Sequence, residues 1–437
     1  MKNVCMVGTG YVGLVSGACF AHLGHNVICV DNNRERIKNL KKGIMPIYEK
    51  DLAAIVQNAY KAGRINFTTD LGKAIEKCQI IFITVGTPAD KETGEADLSC
   101  VFAVAKDIAK NIKNEYKAVV LKSTVPIGTA EAVENIIKTA AAKAKFSVVS
   151  NPEFLREGFA VSDFLKPERI VIGASDGKSL KIMRALYKPL TDKGYPLLHT
   201  CPATANMIKY ASNSFLAMKI MFINELADMC EKAGADVQDV AKGIGLDSRI
   251  GHKFLNPGPG FGGSCFPKDT LALDRMAKQY GAPLKLVETT IAENNARRFK
   301  MLAKIENAFE GKLRGKKIAV LGVTFKAETD DMRDSPSIGI LSQLHLSGVS
   351  LVIYDPQGKK HGPQFFPYAK FANSAPRALK GADGALILTE WPEFKKITAR
   401  DYKKLLKTPL VVDLRNMYSP ADMTGVTYHS VGRKPVK

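Results

Sequence analysis

Two stretches of the 437-residue chain carry residue types that could do chemistry. One is Phe261-Gly262-Gly263-Ser264-Cys265-Phe266-Pro267-Lys268-Asp269. Its glycines let the backbone come close to a ligand. The nucleophilic form of cysteine is the thiolate, and a nearby ammonium such as that of Lys268 favours it. Asp269, four residues past Cys265, is spaced to orient a water or a proton donor. A lone cysteine in a glycine loop is also a common structural feature, and it gains meaning only from what else the chain carries.

The other stretch is Gly8-Thr9-Gly10-Tyr11-Val12-Gly13, which follows an apolar run and opens a helical pattern. In that context Gly8 permits a tight turn, Gly10 lets the backbone reach a pyrophosphate, and Gly13 allows close helix–strand packing. The helix start, through Tyr11 and Val12, offers unpaired N–H groups to the phosphates. Asp31 comes 23 residues after Gly8, where a carboxylate binds the adenosine ribose and repels the 2′-phosphate of NADP. NAD is therefore the expected cofactor. Arg34 and Arg36 keep NADP as the alternative, and Arg36 counts among the cofactor-binding candidates. Thr87 (in Gly86-Thr87-Pro88) and Thr124 (in Ser123-Thr124-Val125-Pro126) also stand at strand ends, where open parallel sheets bind ligands. Ordinary turn chemistry accounts for the same two residues.

A dinucleotide site together with a cysteine nucleophile implies a particular oxidation. Removing a hydride from an alcohol gives an aldehyde. A second hydride leaves readily only from a tetrahedral adduct, and a thiolate adding to the aldehyde makes one. Oxidation of that thiohemiacetal gives a thioester, which water hydrolyses to a carboxylate. Covalent catalysis splits one hard step into easier ones. The expectation is a four-electron oxidation that uses two NAD per turnover.

The elements that must position these residues are legible as patterns. Val4–Val7, Val27–Val30, Ile80–Val85, Val119–Leu121 and Ser147–Ser150 read as strands alternating with helices, the pattern of a helix-covered parallel sheet. Ala205–Ala233 and Pro283–Phe309 read as long helices, with a Gly/Pro-dense loop between them from Asn256 to Lys268. Strand–helix alternation returns with Ile318–Leu321, Leu351–Tyr354, Ala385–Leu388 and Leu410–Val412. IIFITVGTP in the first half has a counterpart in ALILTEWP, and VICVDN has one in LVIYDP. The predicted fold class is α/β, with two Rossmann-like parallel-sheet domains joined by a central helical region. The expected domains are residues 1–200, 201–310 and 311–437.

Composition narrows the partners. The balance of 46% hydrophobic and 24% charged residues excludes a disordered or fibrous chain. No apolar run reaches the roughly 20 residues of a membrane helix, and the N-terminus has no secretory pattern. The eight cysteines are scattered without a CxxC pair or a Cys/His cluster, so neither a disulfide framework nor a metal site is expected. His22 and His25 are too weakly supported to be ligands. The expected compartment is the cytoplasm. The 63 Lys and Arg exceed the 43 Asp and Glu by 20, which raises nucleic acid as a partner. The lysines are spread over the whole chain rather than clustered with aromatics, which argues against it.

The motifs GTGYVGL, VGTP, STVPIGT, NPEFLREG, KYASNSFLAMKIMFINE, RIGHKFLNPGPGFGGSCFPKD and GVTFKAETDDMRDSPS together resemble the UDP-glucose/GDP-mannose dehydrogenase family over essentially the whole chain. Within it they resemble the branch that oxidises UDP-glucose. The resemblance implies that Cys265 is the nucleophile and that Asp269 assists the hydrolytic water. It implies that Lys209 and Asn213, one helical turn apart, hold the developing oxyanion and the substrate. Glu153, Phe154, Leu155, Arg156 and Glu157 match a loop that contacts the sugar, and Glu157 matches a neighbour of the nicotinamide. Thr124 matches a residue that handles protons through water. Phe254, Leu255, Asn256, Pro257, Gly258 and Gly262 match the lining of the sugar-nucleotide site. Lys326 matches a substrate contact. Lys268 and Arg333 are cofactor contacts on the same reading, and Arg333 otherwise fits a surface ion-pair network. Arg249 matches an arginine that reaches the substrate from a neighbouring subunit, which implies a homodimer or larger homo-oligomer. Val323-Thr324 and Ala327-Glu328 depart from the commonest family wording but leave Lys326 in place. GDP-mannose and UDP-N-acetyl-mannosamine are the alternative substrates. FLNPGPGFGGSC resembles the UDP-glucose branch.

Overall fold

The computed structural model describes residues 1–90, 93–113 and 115–437. They form two compact units, residues 1–212 with 271–281 and residues 213–270 with 282–437. The first unit holds β1 (Asn3–Val7), β2 (Asn26–Val30), β3 (Ile65–Thr68), β4 (Ile80–Ile83), β5 (Lys117–Leu121), β6 (Phe146–Ser150), β7 (Ile170–Gly173) and β8 (Leu197–Thr200). Their order in the sheet is β3-β2-β1-β4-β5-β6-β7-β8. All pairs are parallel except β6 with β7, which meet antiparallel at Ser150 and Gly173.

The runs of Val and Ile reflect burial on both faces. Val4 and Met6 pack into one core, with Phe20, Phe82 and Leu186. Cys5 and Val7 alternate into the other, with Ile81, Val101 and Val133. Parallel strands covered on both faces read as continuous apolar runs for this reason. The chain leaves β1 in opposite directions toward β2 and β4, so a crevice opens at the carboxyl ends of β1 and β4.

The second unit repeats this plan with β9 (Lys317–Leu321), β10 (Ser350–Tyr354), β11 (Lys370–Phe371), β12 (Gly384–Ile387), β13 (Leu410–Asp413) and β14 (Thr427–Ser430). The order β11-β10-β9-β12-β13-β14 is that of the first six strands. The repeat extends to the strand ends. Gly8 N–H donates to the Val30 carbonyl at 2.8 Å, and Gly322 N–H donates to the Tyr354 carbonyl at 2.8 Å. Asp31 accepts from Thr9 N–H, and Asp355 accepts from Val323 and Thr324 N–H. They differ in closure, because the Trp391 indole N–H also donates to Asp355, at 3.2 Å.

The long helix Pro202–Ala233 runs from the first unit into the second, and Lys285–Ala308 is the other long helix of the second unit. The loop expected as far as Lys268 ends earlier, because a helix begins at Phe266 and runs to Gln279. The Cys265 carbonyl accepts its first turn bond from Asp269 N–H at 2.8 Å. Pro267 is tolerated in that turn, where its missing N–H would have no helical partner. Lys268 and Asp269 are thus helical residues. Among the described residues no helix is long and apolar enough to cross a membrane, and the eight cysteines are free.

Candidate active site

In the first unit the glycine turn is forced by close approach. A Cβ on Gly13 would lie 2.0 Å from the Gly8 carbonyl oxygen and 2.4 Å from the Thr84 hydroxyl. Gly8 itself sits at φ +103°, a region that side chains avoid. A Cβ on Gly10 would meet nothing within 4 Å, so the space above it is open. Gly10 caps the helix Tyr11–His22 and makes no side-chain cap bond. These features fit the pyrophosphate of a dinucleotide.

Asp31 closes the turn from β2. Its Oδ2 accepts from Thr9 N–H at 2.9 Å, from the Thr9 hydroxyl at 2.6 Å and from Arg36 Nη1 at 3.1 Å. Its Oδ1 accepts from Asn33 N–H at 3.0 Å. Burial pushes the Asp31 carboxyl up, but these bonds, the Thr9 hydroxyl foremost, outweigh it and hold the group below the usual carboxylate range. The site is therefore anionic at neutral pH. Arg36, which kept NADP open, is spent on that carboxylate. The Thr87 hydroxyl donates to the Thr124 carbonyl at 2.9 Å, and Ser123 donates to the Val85 carbonyl at 2.6 Å. The ends of β4 and β5 are laced together in this way.

The NPEFLREG loop lies beyond β6. Glu153 is buried, and its Oε1 takes the Lys209 ammonium at 3.1 Å. Leu155 N–H donates to the other oxygen. Phe154 lies under two cations, with the Arg169 guanidinium 3.8 Å and the Lys209 ammonium 5.4 Å from its ring centre. Arg156 forks onto Asp163 at 2.9 and 2.6 Å and is exposed. Glu157 is half-buried. Behind this loop Lys122 is buried, donating to Asn151 Oδ1 at 3.2 Å and Tyr187 Oη at 3.4 Å. Burial lowers its ammonium from 10.5 to about 8; Glu153 pulls the other way and Lys209 adds to the lowering.

In the second unit the half-buried Cys265 is the residue from which the helix Phe266–Gln279 starts. That position favours negative charge. Asp269 is only 1% exposed. Its Oδ2 accepts from Asn213 Nδ2 at 2.6 Å and its Oδ1 from Lys268 Nζ at 2.6 Å. The structure brings Asn213, Cys265, Lys268 and Asp269 together and commits the Lys268 ammonium to Asp269. Phe254 stands at φ +66°, unusual for a bulky residue, with its ring 6.0 Å from that of Phe266. The Leu255 side chain is in the hydrophobic core. Asn256 is exposed, while Pro257 and Gly258 are buried. Gly262 has no room for a side chain, since a Cβ would lie 2.2 Å from the Asp334 carbonyl oxygen. Lys326 is half-buried beside Phe325. Arg333 forks onto Asp331 at 2.9 and 2.7 Å. Arg249 forks onto Asp247 and is 87% exposed at its side chain.

Several residues that shape these loops were missed in the sequence. Thr9 sits inside a motif read for its glycines, and Thr84 inside IIFITVGTP, read as a strand and repeat. Glu49 is buried and accepts from Gly158 N–H at 2.7 Å and Ala160 N–H at 2.9 Å, holding the far end of the NPEFLREG loop. Lys122 directly precedes the STVPIGT motif, and that adjacency was an available signal. Asn224 lies inside the KYASNSFLAMKIMFINE motif, an available signal, whereas Asn294 and Arg297 lie on a helix and carried none.

Comparison with known proteins covers all three regions. Residues 2–191 match the NAD binding domain of the UDP-glucose/GDP-mannose dehydrogenase family. Residues 203–296 match its central domain and 319–420 its UDP binding domain. The chain is 50% identical over 435 residues to a UDP-glucose 6-dehydrogenase of Rhizobium meliloti, covering 99% of each. It superposes on a UDP-glucose dehydrogenase from Pyrobaculum islandicum with a TM-score of 0.92 and 36% identity, covering 98% of this chain and 97% of that one. A UDP-D-ManNAc dehydrogenase from Pyrococcus horikoshii gives 0.87 and 25% identity, covering 99% of this chain and 100% of that one.

Lys122 makes a prediction independent of activity. Below pH 8 both folded and unfolded chains hold its proton, and the full burial penalty is present. Between about 8 and 10.5 only the unfolded chain holds it, so stability rises with pH. Parent and Lys122→Met, compared by urea unfolding, should diverge in the parent's favour by about 3 kcal/mol across that interval. A difference that is flat with pH would show that the amine does not titrate there.

Proposed function

The chain belongs to the UDP-glucose/GDP-mannose dehydrogenase family, and on that premise we propose that it oxidises C6 of UDP-glucose to a carboxylate, giving UDP-glucuronate. One UDP-glucose, two NAD+ and one water yield one UDP-glucuronate, two NADH and three protons. The observation that carries the reading is the buried Asp269, held by Asn213 and Lys268 one turn from the Cys265 thiol at a helix start. NAD, when bound, accepts the hydrogen and electron pair of each oxidation. Gly8, Gly10, Gly13 and the helix start would hold its pyrophosphate, and Asp31 its ribose.

In this reading the Cys265 thiolate attacks the C6 aldehyde. The new C–S bond sends the carbonyl electron pair onto oxygen, and Lys209 and Asn213 supply the charge and hydrogen bond that stabilise it. Oxidation of that adduct leaves a thioester on Cys265. Water then attacks the thioester carbon, Asp269 takes its proton, and the C–S bond breaks to return the thiolate. Glu153 holds the Lys209 ammonium in place. Glu157, Thr124, Arg156, Lys326 and Arg333 are assigned to substrate or cofactor on the family pattern. The much higher identity to the UDP-glucose enzyme than to the UDP-D-ManNAc enzyme supports UDP-glucose over its alternatives.

The active assembly on this reading is a homodimer in the cytoplasm. Phe215, Phe222 and Met229 recur every seven residues on the long helix and are 58%, 52% and 65% exposed. Such a stripe is what a second helix covers. Eight free thiols suit a reducing compartment.

Absorbance at the NADH band, with sugar consumption measured in parallel, should give two NADH per UDP-glucose and far slower turnover of GDP-mannose and UDP-N-acetyl-mannosamine. One NADH per sugar would exclude the four-electron course. Cys265→Ser should lose at least about 1,000-fold in steady turnover, as removal of a nucleophile does elsewhere.

Arg249 tests the dimer. Arg249→Ala and Cys265→Ser should each be nearly inactive alone. Mixed and allowed to exchange subunits, they should recover about a quarter of the parent rate, since half of the sites in each heterodimer would then be intact. No recovery despite demonstrated exchange would place Arg249 at its own subunit's site or outside any.

A further inference from the structure

The segment from Pro257 to Gly263 is buried throughout, yet it belongs to neither helix nor strand. Buried peptide groups need partners, and here side chains of the two long helices supply them. Gly258 is gripped at both ends of its backbone. Its N–H donates to Asn224 Oδ1 at 2.8 Å, and its carbonyl accepts from Arg297 Nε at 3.1 Å. Phe261 is gripped in the same manner by one residue. Asn294 Oδ1 accepts from Phe261 N–H at 2.8 Å, and Asn294 Nδ2 donates to its carbonyl at 3.1 Å. A single amide side chain thus does for Phe261 what a neighbouring strand would do.

Arg297 is only 1% exposed and is anchored in turn by Asp228, which also takes Lys300 at 3.2 Å. Asn294 and Arg297 lie on the helix Lys285–Ala308, while Asn224 and Asp228 lie on Pro202–Ala233. The loop cannot hold itself. Gly260 at φ +112° and Gly263 at φ +82° are free to pivot in the absence of outside contacts. A Cβ on Gly260 would lie 2.7 Å from Asn294 Oδ1, so the close fit needs glycine there. Past Phe261, Gly263 N–H also donates to the Arg333 carbonyl at 2.9 Å, two residues before Cys265.

We propose that Asn294 and Arg297 are positioning residues for Cys265, fixing the loop that presents the thiol. The proposal rests on the reading of Cys265 as nucleophile. Only three residues separate Phe261 from Cys265, so the position of the Phe261 backbone bears directly on where the thiol is presented. A misplacement of about 1 Å is enough to cost on the order of 100-fold in rate.

The test uses the full-length enzyme with Asn294→Ala, Asn294→Asp and Arg297→Lys. Four quantities are measured: kcat with UDP-glucose, NAD affinity, thermal midpoint, and the pH profile of Cys265 alkylation by iodoacetamide, read on the labelled peptide. The aspartate keeps the acceptor for Phe261 N–H and loses the donor. The lysine keeps the charge beside Asp228 and loses the fork. The expected result is a loss in kcat of about 10- to 100-fold for Asn294→Ala, smaller for the two conservative variants. Alkylation of Cys265 should change at least threefold in rate or shift its pH midpoint, with NAD affinity unchanged. If the alanine variant does not fold, the other two carry the test. Parent-like kcat and alkylation would overturn the proposal. So would a loss of kcat matched by an equal loss of NAD binding, which marks a merely structural role. Failure of the underlying reading shows separately, as Cys265→Ser turning over like the parent.

Discussion

Buried peptide groups that lack a helix or strand partner must find one elsewhere, and each loop at the candidate site finds it in a buried side chain. Asp31 takes Thr9 and Asn33 N–H at the glycine turn. Glu49 takes Gly158 and Ala160 N–H beyond the NPEFLREG loop. Asn224, Asn294 and Arg297 take Gly258 and Phe261 before Cys265. Asp355 and Asp413 do the same at the ends of β10 and β13. A parallel sheet delivers its strand ends to one edge, but it leaves the loops there without hydrogen-bond partners. These side chains turn such loops into fixed geometry. Removing one leaves a buried polar group unmatched, at a cost of about 1–3 kcal/mol.

The two sheets show how one device serves two ends. Asp31 and Asp355 follow equivalent strands and accept from equivalent turns. Asp31 shares its carboxylate with the partly exposed Arg36, a side chain at the surface, while the carboxylate itself is 6% exposed. Asp355 is sealed by the Trp391 indole and by the N–H groups of Gln357 and Gly358, and it is 3% exposed. A carboxylate with every lone pair engaged internally cannot read a ribose. The repeated architecture has kept the turn at Gly322, but Thr324 and Ala327 stand where the first turn has Gly10 and Gly13, and the acid is spent on structure, so only the first turn reads as a dinucleotide motif.

The sequence carried the strand alternation, the long helices and the glycine turn, because each rests on local pattern. Val4–Val7 and Val27–Val30 are apolar whichever way the chain folds. The short strands Ile65–Thr68, Ile170–Gly173, Leu197–Thr200, Lys370–Phe371 and Thr427–Ser430 escaped notice. Asn66 in the first is polar and solvent-facing, and Leu197–Thr200 is a partly exposed edge strand with little apolar signal. The site was legible where residues carry motifs, as at Cys265 and Asp269, and illegible where they act at long range. Glu49 lies 109 residues from the N–H it holds at Gly158, and Asn294 lies 33 from Phe261. A polar residue on an amphipathic helix looks like solvated surface until the fold shows which peptide it meets.

Electrostatics around Glu153 bear on the chemistry. Two buried ammoniums, Lys122 and Lys209, act on this one buried carboxylate. A single acid cannot neutralise both, and burial makes the surplus costly to either amine. Lys122 absorbs the cost by holding its proton loosely, and the packing of Phe82 and Phe164 around its ammonium deepens that burial. Lys209 rests on the Glu153 carboxylate at 3.1 Å. A cation oriented in advance by a buried carboxylate, as Lys209 is by Glu153, is preorganised before any ligand arrives. With two ammoniums on one carboxylate, the cluster carries a surplus positive charge, and Lys122, whose proton burial loosens, is where that surplus falls.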